Sequence, residues 1–75
     1  MPKVILDPAR RASERVTAWI MFTMKMQSKT QQDIAELLNL PTMSVSRRMA
    51  GKTPWKFEEV VTVVSFLGGR LEEIL

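Results

Sequence analysis

Residues Asn39 to Met49 read "NLPTMSVSRRM", and the way this stretch is divided between turn and helix decides the fold. Asn39 fits a left-handed residue that ends one helix, a role glycine usually fills. Leu40 plugs the corner. Pro41 prevents the first helix from continuing. Thr42 can cap a second helix running from Met43 to Ala50, and Gly51 stops it. Wound at about 100° per residue, Thr42, Val45 and Met49 share one side, with Val45 and Met49 as the apolar anchors. The opposite side carries Met43, Ser44 and Arg47, with Ala50 at its edge. Ser46 and Arg48 lie on the two flanks.

Working outward, "TQQD" (Thr30 to Asp33) is a capping-box-like start, because the Thr30 hydroxyl can accept from the Asp33 amide. Ile34, Ala35, Leu37 and Leu38 supply that helix's inward face. Ala35 is small where a larger side chain would hold the next helix away. Upstream, Asp7-Pro8 opens a long helix to about Met26. Ala12, Val16, Trp19, Ile20, Thr23 and Met26 follow its 3–4 spacing, but the segment is apolar nearly all round after Val16, so its buried face is not fixed. Downstream, Phe57 to Leu67 reads as a helix with Val60, Val61, Val63, Val64 and Phe66 largely buried. Its β-branched residues make a buried strand the local alternative. Phe57-Glu58-Glu59 ahead and Gly68-Gly69 behind favour the helix. Leu71 to Leu75 adds a final turn or two. Val4-Ile5-Leu6 reads as a short strand or an arm laid on the core. The expectation is a single compact all-α domain of five helices over residues 1–75, with a helix-turn-helix unit at about residues 30–50.

Composition narrows the chemistry. Seventy-five residues form one domain with a small core, burying about 60 per cent of the unfolded surface. There are no cysteines and no histidines, so disulfides, thiolate chemistry, the commonest general base and the commonest metal ligand are all missing. No metal, cofactor or small-molecule ligand is expected, and no enzymatic activity. The run Val16 to Met26 contains Lys25 and is too short to span a bilayer. It is no signal peptide either, so a soluble, cytoplasmic protein is expected. The net charge is +3 and unevenly spread. Residues 1–56 hold ten Lys/Arg against four Asp/Glu, whereas residues 57–75 hold Arg70 against four Glu. Residues 42–56 contain Arg47, Arg48, Lys52 and Lys56 and no acid. A one-signed segment attracts polyanions. The outward face of residues 42–50 is narrow and ends in one long guanidinium, which suits a DNA major groove.

The segment Lys29 to Leu75 resembles the Cro/cI-type helix-turn-helix family, the xenobiotic-response-element class. The residues that carry the resemblance are "TQQDIAELLNLPTMSVSRRMAGKTPW" (Thr30 to Trp55) and "FLGGRLEEIL" (Phe66 to Leu75). Thr30-Gln31, Ile34-Ala35, Leu38, Leu40 and Val45-Ser46-Arg47 match the family's first-helix opening, aliphatic-Ala pair, corner and recognition-helix anchor. "SRRMAGKTPW" is similar to variants in actinobacteria and their phages. The resemblance implies a lambda-repressor-like fold and a repressor or Cro-like regulator that occupies a double-stranded operator. It implies base contacts from Thr42, Met43, Ser44 and Arg47, and backbone contacts from Gln31, Ser46, Arg48 and Lys52. It also raises a homodimer, for which the Leu71, Ile74, Leu75 cluster and the Val4-Ile5-Leu6 arm are the candidate surfaces. Four positions depart from the family pattern: Asn39 for Gly, Arg48 for an aliphatic residue, Lys29 for an apolar one and Arg70 for a small cap. Met49 is expected to take over the packing that Arg48 gives up.

Other features weigh less. "AGKT" (Ala50 to Thr53) lacks the upstream Gly and strand of a phosphate-binding loop. Asp33 and Glu36 read as surface charges. Trp19 reads as core, and Trp55 as packed beneath its loop in preference to pressing on a sugar–phosphate chain. Two other functions fit the composition: an antirepressor- or antitoxin-like module that grips a protein through Met43 and the apolar tail, and an excisionase-like factor that bends DNA.

Overall fold

Hydrophobic spacing and helix-stop residues build five helices in the computed structural model, which describes residues 8–74. They are α1 (Pro8–Gln27), α2 (Gln31–Leu38), α3 (Thr42–Met49), α4 (Phe57–Phe66) and α5 (Leu71–Ile74). The described residues contain no strand. The proposed arm at Val4-Ile5-Leu6, the Asp7 cap and Leu75 lie outside the described residues.

The same device ends each of the first four helices. Ser28, Asn39, Gly51 and Gly68 take positive φ values of 58°, 58°, 80° and 85°. In each case the next amide reaches back to the carbonyl five residues earlier: Lys29 to Met24, Leu40 to Ala35, Lys52 to Arg47 and Gly69 to Val64, all at 2.8–2.9 Å. These are Schellman closures, which satisfy carbonyls that the helix end would leave bare. Asn39 plays the role expected of it. Ser28 is the unforeseen member, since serine has no special ease in this conformation.

The core is one cluster. Val16, Ile20 and Met24 contribute from α1, Ile34 and Ala35 from α2 and Val45 from α3. Val60, Val63, Val64 and Leu67 join from α4 and its end, and Ile74 from α5. On α4 the buried residues fall at i, i+3, i+4 and i+7, so Val61 and Phe66 flank the stripe and stay 40% exposed; they are not the core residues expected. Met26 sits about 120° round α1 from Ile20 and is 70% exposed, so it lies off the buried stripe that the sequence left open. Trp19 packs half-buried against the cluster. Its ring lies where a Cβ at Gly69 would be, with ring atoms Cζ2 and Cη2 in the way. Gln27 Nε2 donates to the Leu67 carbonyl at 2.8 Å and ties the ends of α1 and α4 together. Lys29 replaces an apolar residue by laying its ammonium 5.0 Å from the centroid of the Phe66 ring.

Ile74 is 9% exposed and belongs to the core. It is therefore not free to form a dimer surface, and the candidate cluster at the C-terminal end loses its central member. No helix among the described residues is long and apolar enough to cross a membrane.

Candidate functional site

The three residues Asn39, Leu40 and Pro41 join α2 to α3. α2 opens with the expected reciprocal cap: the Asp33 amide donates to Thr30 Oγ1 at 3.2 Å, and the Thr30 amide to Asp33 Oδ2 at 2.8 Å. Hydrogen bonding of its carboxylate to the Thr30 amide, and then to the Thr30 side chain, lowers the Asp33 pKa below its usual value. α3 begins one residue earlier than expected. Pro41, extended at φ −63° and ψ 149°, is its N-cap, and no side chain caps it. The Pro41 carbonyl accepts from the Ser44 amide at 2.9 Å, so Thr42 is the first helical residue and not the cap.

The roll of α3 about its own axis differs from the expectation. Val45 is fully buried and Arg48 is 8% exposed, with Ser44 and Met49 half-buried beside them. The inward arc is thus Ser44, Val45, Arg48 and Met49, turned by about 60° from the one that Thr42, Val45 and Met49 would define. Thr42 and Ser46 are exposed in consequence. The cause is Glu59. Arg48 Nε donates to Glu59 Oε1 at 2.8 Å, and Nη2 to Oε2 at 3.0 Å. Arg48 Nη1 also donates to the Ser44 carbonyl at 3.1 Å. A buried guanidinium is tolerated when a carboxylate meets it in this two-pronged geometry. Glu59 is itself held by the Lys56 amide at 2.9 Å, at the start of α4, where the helix dipole favours a negative charge. Burial pushes the Glu59 pKa up, but the Arg48 and Lys56 hydrogen bonds outweigh it and leave the carboxyl below its usual value.

Arg48 is therefore not a phosphate clamp. Its charge is consumed by Glu59, and it fills the position that the resemblance gives to an aliphatic side chain. Ser44 is turned half inward. The residues that α3 presents to solvent are Thr42, Met43, Ser46 and Arg47, with its C-cap Ala50 exposed beside them. Met43 is 65% exposed, and Arg47 Nη2 lies 3.8 Å from its sulfur, so the two side chains stand together on the surface. Lys52 and Lys56 are exposed on the following loop, and Gln31 is half-buried at the start of α2. Trp55 packs half-buried against the core and donates from Nε1 to Thr17 Oγ1 at 3.0 Å, so it sits beneath the loop as expected.

No family model, no characterised protein and no solved structure matches the chain. The residues themselves must then carry the functional argument. Among the described residues no group of three or more acidic side chains could hold a metal ion. The sequence signal that would have found the Arg48–Glu59 pair is the spacing of Glu59 three residues after Lys56, where a carboxylate caps a helix start and offers a partner to a neighbouring cation.

Proposed function

We propose that this chain is a sequence-specific double-stranded DNA-binding regulator of the lambda-repressor-like helix-turn-helix type, with α3 as the recognition helix. The observation that carries the reading is the division of α3 into two faces. Val45 and Arg48 fasten one face to the body, while Thr42, Met43, Ser46 and Arg47, with the C-cap Ala50, form an exposed face that is small except for one thioether and one guanidinium. A helix of this outline fits a major groove about 12 Å wide. Arg47 can reach the O6 and N7 of a guanine, and Met43 can touch a thymine methyl. Ser46, Lys52, Lys56 and Gln31 would meet phosphates, together with the α3 N-terminus, which no side chain occupies. The tight three-residue turn and the buried Ala35, 3% exposed, support the same reading.

Regulation would follow from occupancy of an operator that polymerase must cross. No catalytic role is proposed. Selection of bound sites from a random duplex pool tests the proposal directly. A recovered motif with a guanine that Arg47→Ala no longer requires is the expected result. Failure to enrich any sequence, together with binding that does not weaken as salt rises, would overturn it in favour of a protein-gripping module.

A further inference from the structure

Arg47 Nη2 donates to the Met43 sulfur at 3.8 Å, so the two long side chains of the exposed α3 face end side by side. Residues four apart on a helix are neighbours on its surface, which brings the two together. No acid in residues 42–56 competes for Arg47, and Glu59 is held by Arg48 and the Lys56 amide. Thr42 and Ser46, exposed around the pair, are short. The face therefore projects as one tip in two parts, a cationic fork and an apolar thioether.

Given the DNA-binding reading of α3, on which this rests, we propose that the tip reads a single base step: a guanine next to a base pair whose pyrimidine carries a C5 methyl group, thymine or 5-methylcytosine. Spacing argues for one step. Successive base pairs rise by about 3.4 Å, close to the 3.8 Å between the two side-chain ends. A base pair that contains guanine contains no thymine, so the Arg47 hydrogen bonds and the Met43 methyl contact fall on neighbouring pairs. Guanine offers O6 and N7 to a guanidinium, and the C5 methyl is the apolar group that a pyrimidine shows in the major groove. A methyl at C5 of cytosine projects from the same ring position as that of thymine. The thioether is a weak acceptor and makes no polar demand that separates the two pyrimidines.

The two contacts should reinforce each other. A thioether on one side and a methyl on the other displace water from the guanidinium, and a charge-assisted hydrogen bond strengthens as the local dielectric falls. The sulfur also restricts the Arg47 side chain before DNA arrives, which reduces the rotamer freedom lost on binding. The consequence is regulatory. Methylation of a cytosine beside the guanine raises occupancy of the site without changing its base sequence.

The test starts from the duplex recovered by selection. The pyrimidine of each base pair flanking the guanine that Arg47 requires is varied among thymine, uracil, cytosine and 5-methylcytosine, with its complement adjusted. Fluorescence anisotropy gives the Kd of each duplex. At one flank, thymine should bind about fourfold tighter than uracil, and 5-methylcytosine about fourfold tighter than cytosine, the effect of burying one methyl group. Met43→Ala should bring both ratios to about one while the guanine is still required. Met43 is 65% exposed, so that variant should melt as the unsubstituted protein does. Ratios near unity at both flanks in the unsubstituted protein would overturn the methyl recognition and leave guanine selection, and with it the DNA-binding reading, standing. Ratios that survive Met43→Ala would overturn it as well, because another group would then be sensing the methyl. Selection of no sequence at all would remove the DNA-binding reading and this inference together.

Discussion

The Arg48 guanidinium makes a two-pronged contact with the Glu59 carboxylate, at 2.8 and 3.0 Å, with the two side chains only 9% and 12% exposed. The contact joins the last turn of α3 to the first turn of α4 and sets which residues of α3 look outward. Breaking it from one side should be costly. Glu59→Ala leaves a buried cation with no partner and is expected to lower stability by about 3 kcal/mol in urea denaturation. Arg48→Leu combined with Glu59→Gln keeps an acceptor for the Lys56 amide and removes the buried charge. That double variant should recover most of the loss. Equal destabilisation of the two variants would show that the charge pair is not the source.

Acid should loosen the same joint. The Glu59 pKa is lowered in the folded chain, as is that of Asp33 in the α2 cap, relative to their usual values of 4.5 and 3.8. Both contributions are complete at pH values above those, and both are lost as pH falls through the lower folded values. Thermal melts should therefore show a plateau from neutral pH down to about 5 and a decline below about 4.5. Glu59→Gln should begin from a lower plateau and decline less steeply, with Asp33 supplying what slope remains.

Arg47 and Arg48 are adjacent in the chain but should differ completely when substituted. Arg47→Ala should leave the melting temperature unchanged and cost about 1–3 kcal/mol of binding at a selected DNA site, with relaxed preference at one base pair. Lys52→Ala should weaken all duplexes about equally and reduce the salt slope by about one. Arg48→Ala should act through stability, its DNA affinity falling only as the folded fraction falls. Equal losses for Arg47→Ala and Lys52→Ala on random and selected DNA would contradict the assignment.

Gly69 is required by a neighbour. A Cβ there would collide with the Trp19 ring, which is wedged against the core. Gly69→Ala should cost about 1–3 kcal/mol through overpacking. Open space surrounds the Cβ position of Gly51, so Gly51→Asn should cost less, since asparagine tolerates a left-handed backbone. Denaturation midpoints of the two variants decide between the two mechanisms.

The helices and their ends were legible in the chain because they follow from local chemistry. The Thr30–Asp33 cap, the left-handed Asn39 and the stop at Gly51 depend on residues within one turn of each other. The i, i+3, i+4, i+7 spacing of Val60, Val63, Val64 and Leu67 likewise states which side of α4 is wet and which is dry, although reading every Val as core overshot at Val61. The exposed pair Met43 and Arg47 also followed from spacing alone. What spacing could not supply was the roll of α3 and the fate of Arg48. Helical periodicity treats a guanidinium as a surface group, because an isolated charge is expelled from a core. Whether it is isolated depends on a carboxylate 11 residues away on another helix, and only the packing of α3 on α4 brings Glu59 to it. α1 was ambiguous for the complementary reason: with apolar residues nearly all round, every face could be buried, and the neighbours that chose Val16, Ile20 and Met24 left Phe22 and Met26 in solvent. Local chemistry determines where this chain turns and coils; the long-range meeting of Arg48 with Glu59 decides which side of α3 remains for a partner.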